Sequence, residues 1–313
     1  MTTYLGLDLG GTKLLIGEVD EHGNILRYKR YASGYFSQKE SAQIIKDALN
    51  DYIRTIGWSG EPPVAMGVGL IGRVDPGNGI WHQIDPSRTE EIHLAEELTE
   101  MTGIPCRIDN DVKSATRAER VWGAGQFSKN FIYINVGTGI AVGTVVNGRQ
   151  IRGSHFNAGE AGHTKVGVNL GIQCACGRYD CVETFASGSG IDTCARLLKD
   201  RYETALHIPE DKNVRVSVKE VYELCQQGDE LCRVLVDNAA EGIANLIMNL
   251  VRMTDPDTVV MGGSIVSDSF MYDNILRRLN RHTMRFVTNG VILTKLNPQF
   301  IGLLGATAVA MDL

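Results

Sequence analysis

The feature that most constrains this chain is a group of three cysteines, Cys174, Cys176 and Cys181, within eight residues. His163 precedes them by eleven residues and completes a set of four soft ligands. Structural zinc takes four thiolate or imidazole ligands in a tetrahedron, and one histidine with three cysteines is a common set. A disulfide would leave one of the three cysteines without a partner. The spacing therefore predicts a zinc knuckle over 163–181; the alternative is a patch of buried, reduced thiols.

Two carboxylates flank the predicted knuckle. Glu160 lies three residues before His163, and Glu183 lies two residues after Cys181. If a metal occupies one ring nitrogen of His163, the other nitrogen carries a proton and becomes a fixed donor. A fixed N–H beside carboxylate acceptors can bind a molecule covered in hydroxyl groups, so the pattern indicates a sugar site. The alternative is that both glutamates are solvated surface acids, the usual fate of Glu.

Length and charge exclude several classes of protein. A chain of 313 residues exceeds one ordinary core, which predicts two domains. The net charge of −6 provides no basic field for nucleic acid. No charged and then apolar leader precedes Asp8, and the apolar runs around Val142 and Leu303 are too short to span a bilayer. With four of seven cysteines scattered, we expect a cytoplasmic protein without nucleic-acid or membrane partners.

A repeated pattern predicts an α/β fold that arose by internal duplication. Apolar strands at Tyr4–Leu9 and Leu14–Val19 are separated by a glycine turn, and a third strand follows at Ile25–Tyr31. The same order of strand, Gly-Thr turn, strand and hairpin begins again at Phe131, although the two copies share little sequence. We expect domains at 1–120 and 121–302, with the last helix, 303–313, packed back on the first domain.

Further elements follow from hydrophobic periodicity. In the first half, a helix is expected after Ser37, a strand at Val64–Leu70, a helix at Leu94–Met101, a strand through Ile108 and a helix from Asp111. The second half is expected to contain strands Phe131–Val136, Ile140–Val146, Thr258–Met261 and Val291–Leu293, and helices Ile191–Arg201, Val218–Gln227 and Glu230–Thr254, one through Leu276 and Leu279, and one from Leu304.

The glycine turns have an electrostatic use. Glycine lets backbone N–H groups approach an anion without an intervening side chain, and threonine adds a hydroxyl. Gly10–Lys13 and Gly137–Gly139 are two such turns, one in each half, and neither has the spacing of a Walker A loop. Asp8 stands at the end of an apolar strand beside the first turn. A carboxylate there binds a cation or caps a turn, and magnesium on nucleotide phosphates is the functional interpretation.

A second acidic group, Asp109-Asn110-Asp111, stands where a predicted strand meets a predicted helix. One carboxylate can cap the helix, and we expect this role for Asp109. The other, with Asn110 beside it to hold the substrate, can act as a general base. Phosphoryl transfer depends mainly on positioning, metal charge and one residue that takes the hydroxyl proton. Asp111 is therefore the candidate base.

Taken together, these motifs resemble those of the ROK family, which contains bacterial sugar kinases, related repressors and the N-acetylmannosamine kinases. The resemblance runs essentially from end to end. The matching motifs are Asp-Leu-Gly-Gly-Thr-Lys at Asp8–Lys13, Asp-Asn-Asp at 109–111, Ala-Glu-Arg at Ala118–Arg120, Gly-Thr-Gly at 137–139, Ala-Gly-Glu-Ala-Gly-His at Ala158–His163, the cysteine block at Cys174–Glu183, Gly-Gly at 262–263 and Gly-Leu-Leu-Gly-Ala near the C-terminus.

The resemblance implies the actin-like kinase fold, with two ribonuclease-H-like α/β domains around a cleft, and it implies that Asp111 is the catalytic base. The residues implied to contact the sugar are Gly72, Arg73, Asn110, Asp111, Glu160, His163 and Glu183. Those implied to bind the nucleotide and its phosphates are Asp8, Gly10, Gly11, Thr12, Lys13, Gly137, Thr138, Gly139, Gly262 and Gly263. The implied zinc ligands are His163, Cys174, Cys176 and Cys181. A homodimer, or a tetramer, is the implied assembly.

The sequence therefore predicts an ATP-dependent kinase that uses magnesium, contains structural zinc and phosphorylates the 6-hydroxyl of a glucose- or N-acetylmannosamine-type hexose. Fructose, allose and N-acetylglucosamine are alternative substrates, because the loop Trp81–Ser87 departs from the family pattern. Two other functions are weighed against this one. A sugar-responsive regulator would carry a helix-turn-helix ahead of the strand that contains Asp8, and a sugar-binding protein without catalysis would not need Asp8, Asp111 and Glu160.

Overall fold

Two five-stranded sheets with the same strand order organise the chain, described by a computed structural model for residues 1–11, 13–34, 37–83 and 90–312. Contacts divide it into two compact units. Unit 1 comprises Met1–Phe127, Arg152–Ala158 and Lys295–Leu313, and unit 2 comprises Ser128–Ile151 and Gly159–Thr294.

Unit 1 contains a mixed sheet covered by helices. Its strands are β1 (Thr3–Leu9), β2 (Lys13–Asp20), β3 (Ile25–Ala32), β4 (Met66–Leu70), β5 (Arg73–Asp75), β6 (Ile80–Gln83) and β7 (Cys106–Asn110). Its helices are α1 (Gln38–Thr55), α2 (Leu94–Thr102), α3 (Asp111–Val121) and α9 (Ile301–Ala310). The sheet order is β3-β2-β1-β4-β7, with β1, β4 and β7 parallel, and β5 pairs with β6 in a separate hairpin.

Unit 2 repeats this arrangement. Its strands are β8 (Phe131–Val136), β9 (Ile140–Val146), β10 (Arg149–Gln150), β11 (Thr258–Gly262) and β12 (Val291–Leu293). Its helices are α4 (Glu183–Ala186), α5 (Gly188–Leu198), α6 (Val218–Gln226), α7 (Glu230–Thr254) and α8 (Ser269–Arg278). The order β10-β9-β8-β11-β12, with β8, β11 and β12 parallel, matches that of unit 1 strand for strand. The predicted duplicated α/β fold is therefore confirmed.

Local sequence signals explain many of the element bounds. Ser37 caps α1 through a capping box with Glu40. Asn147 and Gly148 both have positive φ, as a two-residue hairpin turn between β9 and β10 requires. The predicted bounds of β8, β9, β12 and α7 are those observed.

Other predicted elements differ from the observed ones. The hairpin β5–β6 and the short helix α4 were not predicted, and β10 is only two residues long. α5 begins at Gly188, before the predicted Ile191, because Ser187 accepts a hydrogen bond from Gly190 N and caps it. α9 begins at Ile301, three residues before the predicted start.

The two units differ from the expected ranges 1–120 and 121–302. Trp122 stays with unit 1, because its indole N–H donates to Glu21 O at 3.4 Å and its ring packs against Gly23. The segment Arg152–Ala158 also belongs to unit 1, and β10 ends just before it, at Gln150. Unit 1 resumes at Lys295, before the last helix.

α9 lies on the unit 1 sheet because glycines in the strands make room for it. A Cβ on Gly67 of β4 would lie 1.9 Å from Ala306 O, and one on Gly6 of β1 would lie 2.7 Å from Leu303 O. This close approach brings the N-terminal turn of α9 to the end of β1.

The long helix α7 is apolar enough to cross a membrane by length and composition alone. In the structure 56% of its most apolar 18-residue stretch is buried. Leu235, Ile243 and Ile247 belong to the core of unit 2. A buried core helix passes the same test, and we interpret α7 as one.

Candidate active site

Unit 1 gathers its predicted site residues at one edge of its sheet. β1, β4 and β7 are parallel neighbours, so their carboxyl ends lie side by side. Asp8 lies near the end of β1, Gly72 follows β4, and Asp109 and Asn110 end β7. Ligands bind at the carboxyl ends of parallel strands in open α/β sheets.

Asp8 is held in a tight, partly buried position against the first turn of α9. A Cβ on Gly302 would lie 2.1 Å from Asp8 Oδ2, so only glycine leaves room for the carboxylate. Burial raises the pKa of Asp8 to about 6, and the charge of Lys13 opposes the shift. Gly10 N donates to Lys13 O at 2.9 Å and closes the turn, in which Gly11 is half-buried; Thr12 lies outside the described residues.

The raised pKa of Asp8 predicts a pH-dependent gain in stability for Asp8→Asn. A carboxyl group whose folded pKa exceeds its unfolded value destabilises the fold as pH rises from about 4 to 6. We expect Asp8→Asn to gain stability relative to wild type by up to about 2 kcal/mol more at pH 7.5 than at pH 4.5. Urea unfolding without divalent metal or nucleotide measures this, with exposed Asp200→Asn as control. An equal gain at both pH values would contradict it.

Asp109 was predicted to cap α3. It forms a buried ion pair instead. Arg152 donates to its two carboxylate oxygens at 2.8 and 2.6 Å, and Arg117 Nε lies 3.5 Å away. Asp109 has no exposed surface. The sequence offered no local signal for this, because Arg152 is 43 residues distant. Asp109 is thus a structural anchor at this edge.

Loss of the Asp109 charge is expected to lower stability. Asp109→Asn leaves the partly buried Arg152 guanidinium without its counter-charge, which costs about 2 to 3 kcal/mol. Denaturant unfolding at pH 7.5 measures the loss, again with Asp200→Asn as control. A variant as stable as wild type would show that the pair contributes nothing net.

Asn110 is the N-cap of α3. Its Oδ1 accepts from Val112 N and Lys113 N at 3.1 and 3.2 Å, and its Nδ2 donates to Gly72 O at 3.0 Å. One side chain therefore caps the helix and fixes the loop after β4. The predicted cap was placed on the wrong residue, because all three residues of the motif are good capping types.

Asp111 follows Asn110 in the chain, and the Gly72–Arg73 step is tied to Asn110 by a hydrogen bond. Asp111 is the first residue of α3, is half-buried, and its Oδ1 accepts from Val112 N at 2.9 Å. Gly72 has φ of 85°, a conformation that favours glycine. Arg73 Nε is buried and has no hydrogen-bond partner within the described part of the chain. The step thus places a buried donor next to Gly72, whose carbonyl oxygen accepts from Asn110.

Unit 2 gathers its glycine turns in the corresponding place. β8 and β11 are parallel neighbours, and the turns 137–139 and 262–263 lie at their carboxyl ends. Gly263 has φ of 96°, and a Cβ there would lie 2.3 Å from Val136 O. The two predicted nucleotide-binding turns of this unit therefore lie against each other.

The four predicted zinc ligands cluster. Their ligand atoms all lie within 4.8 Å of one another. His163 Nδ1 lies 3.3 Å from Cys174 Sγ, and the Sγ atoms of Cys176 and Cys181 are 3.6 Å apart. Tetrahedral zinc with Zn–S bonds near 2.3 Å requires ligand separations of about 3.8 Å. The three cysteines and the histidine fit that donor set, and Nδ1 of His163 is the nitrogen that faces the cysteines.

The pKa values of two thiols differ in this cluster. The backbone N–H of Arg178 lowers the pKa of Cys176, whereas burial raises the pKa of Cys181 to about 12. Cys176 is exposed and Cys181 is buried. A divalent cation bound by all four ligands would hold both cysteines as thiolates.

Glu160 and His163 are placed by close backbone packing on β9. Gly159 O accepts from Val142 N at 2.8 Å. A Cβ on Gly159 would lie 1.9 Å from Val142 O, and one on Gly162 would lie 2.2 Å from Ile140 O. The glycines of the Ala-Gly-Glu-Ala-Gly-His motif are therefore needed for this packing.

Glu183 contacts the 137–139 turn, which the sequence did not indicate. Its Oε2 accepts from Ile140 N at 2.7 Å, and a Cβ on Gly139 would lie 2.6 Å from the same oxygen. Glu183 begins α4, two residues after Cys181. The knuckle and the 137–139 turn are thus joined through one carboxylate.

Comparison with known proteins identifies the family of this chain. The ROK family matches residues 4–312. A glucokinase of Halalkalibacterium halodurans is 30% identical over 284 residues, 89% of this chain and 84% of that protein. The regulator NagC of Escherichia coli K12 is 27% identical over 91% of this chain and 70% of its own length. A glucokinase of Streptomyces griseus, solved with glucose and AMPPNP, is 25% identical with a TM-score of 0.75 and covers 99% of both chains.

The duplicated sheets and the residues at their edges define a protein of the actin-like ATPase fold. Within that fold, the chain belongs to the ROK family. The predicted family, fold and enzyme class, a sugar kinase, are confirmed by these relatives.

Proposed function

We propose that the protein transfers a phosphoryl group from ATP to the primary, 6-hydroxyl group of a hexose of the glucose or N-acetylmannosamine type. The observation that carries this proposal is the difference between two neighbouring aspartates. Asp109 is buried in an ion pair with Arg152, whereas Asp111 is half-buried at the start of α3. Asp111 is therefore the carboxylate suited to accept a substrate proton.

The other groups divide into a sugar set and a phosphate set. Glu160, the Nε2 side of His163 and Glu183 orient the sugar hydroxyls. Asn110 and the Gly72–Arg73 step also belong to the sugar set. The remaining oxygen of Glu183 is the one assigned to sugar, because Oε2 already accepts from Ile140 N. Asp8 binds magnesium through water, and the turns at 10–13 and 137–139 bind phosphates. The turn at 262–263 binds the adenosine side.

The donor set of the knuckle supports zinc. His163, Cys174, Cys176 and Cys181 would hold the ion, and zinc would supply rigidity and fix the proton of His163 on Nε2. This chain's own residues then bind and orient the sugar, and Asp111 takes the proton of its hydroxyl as the phosphoryl group arrives. A homodimer or tetramer in the cytoplasm belongs to the same proposal.

The choice of sugar depends on two regions. Arg73 Nε, a buried donor with no partner among the described residues, suits an acyl or hydroxyl oxygen. The loop Trp81–Ser87 is the second region, and its residues 84–87 lie outside the described residues. A coupled assay for ADP release tests the proposal across glucose, N-acetylmannosamine, N-acetylglucosamine, fructose, mannose and allose. ADP release that depends on one of these sugars supports it, and release that no sugar increases would contradict it.

A second candidate is a sugar-responsive regulator, which the similarity to NagC favours. This function predicts binding to DNA that depends on sequence and changes with sugar. A gel-shift assay with operator-like and scrambled DNA distinguishes the two functions. The acidic balance of the chain, with a net charge of −6, supports the kinase.

A further inference from the structure

An arginine outside every motif described above lies on the 137–139 turn. Arg215 Nη1 donates to Thr138 Oγ1 at 3.3 Å. The side chain is exposed, and no carboxylate within the described part of the chain forms a salt bridge with it. An uncompensated cation therefore stands beside a turn of backbone N–H groups.

The backbone on both sides of Arg215 is fixed to α5. Asp192 Oδ1 accepts from Val216 N at 2.9 Å. Arg196 donates to Val214 O at 2.8 Å and to Asp192 Oδ2 at 3.0 Å. The hydrogen bond that Arg196 donates to Asp192 also raises the pKa of Arg196, which therefore stays charged. The loop that contains Arg215 is therefore held by α5 at Val214 and Val216, the residues before and after Arg215.

The same helix holds the turn itself. Gly188 N donates to Gly137 O at 2.8 Å, and Ser189 N donates to Thr138 O at 3.2 Å. These first two N–H groups of α5 donate to carbonyl oxygens of the turn, so they are not available to bind an anion. The distance between Arg215 and the turn is therefore set by one rigid element, and the positive charge at the turn comes from Arg215.

We propose that Arg215 binds the phosphate chain of the nucleotide, with Asp192 and Arg196 as its positioning residues. The inference rests on the proposed kinase function. A guanidinium group matches two phosphate oxygens at once and remains charged at any working pH. An exposed arginine is ordinarily solvated and contributes little, but here its neighbours are held in place, which lowers the entropy lost when it binds an anion.

The test compares Arg215→Gln with Lys212→Gln, which removes an exposed charge from the same loop. Charged hydrogen bonds contribute about 1.5–3 kcal/mol, so Arg215→Gln should weaken binding of MgADP by roughly 10- to 100-fold. Adenosine affinity, the KM for sugar and the melting temperature should stay unchanged. Arg215→Lys should restore part of the affinity, because it keeps the charge without the fork.

Asp192→Asn tests the positioning role. It should raise the KM for ATP but not the KM for sugar, whereas a purely structural role would lower stability without that split. If wild-type protein binds MgADP and Arg215→Gln binds it equally well, the inference is overturned and the kinase proposal stands. If wild-type protein binds no MgADP, both are overturned.

Discussion

Asp111→Asn is expected to bind sugar as wild type does and to lose turnover by about 10²- to 10⁴-fold, the usual contribution of a general base. The amide keeps the shape of the side chain and its hydrogen bond from Val112 N, but it cannot accept the hydroxyl proton. Stability should fall by only about 0.3 to 1 kcal/mol, the usual contribution of a negative charge in the first turn of a helix. Initial rates and calorimetric sugar titrations measure both quantities.

Asp109→Asn is the informative comparison for this variant. The two aspartates are separated by one residue, yet Asp109 is paired with Arg152 and Asp111 is assigned to the substrate. We expect the first variant to lose stability and the second to lose turnover. An Asp111→Asn enzyme that keeps more than about a tenth of wild-type turnover would reject the role of general base.

The second large effect concerns Cys176, which is exposed. Without a metal, replacing an exposed side chain changes stability by less than about 0.5 kcal/mol. With zinc bound, Cys176→Ala removes one of four ligands, and metal binding in small structural sites contributes about 10 kcal/mol or more to folding. We therefore expect Cys176→Ala to lose several kcal/mol and to reduce the zinc content. Thermal unfolding and elemental analysis measure the two effects.

Cys225→Ala is the matched control, because Cys225 is a half-buried thiol outside the cluster. Chelation should reproduce the loss in wild type and have no further effect on Cys176→Ala. Because Glu183 joins the knuckle to Ile140 N, the affinity for nucleotide should also fall when the metal is removed. A melting curve that chelation leaves unchanged would count against structural zinc.

The sequence predicted what is encoded over short distances. Short apolar runs defined β8 and β9, the Asn-Gly pair defined the hairpin after β9, and the cysteine spacing defined a cluster whose ligand atoms do converge. These features depend on residues that are close in the chain, so their physical causes are visible in the sequence itself.

The errors concern contacts between distant residues. Asp109 was expected to cap α3 because no residue near it in the sequence indicates an ion pair. Its partner, Arg152, follows only after three further strands. The sugar role of Glu183 stays a prediction, but its hydrogen bond from Ile140 N could not be predicted, because the two residues are 43 apart in the chain. Arg215 could not be found at all, because its position depends on Asp192 and Arg196 in α5.

The central claim is that this chain phosphorylates the primary hydroxyl of a hexose. Phosphorus NMR of wild-type protein with ATP, magnesium and the sugar that releases most ADP tests it directly. We predict one new phosphomonoester signal, coupled to the protons of carbon 6, that grows as ADP forms and is lost in Asp111→Asn. ATP consumption that yields only inorganic phosphate, or a phosphoester at another carbon, would contradict the account.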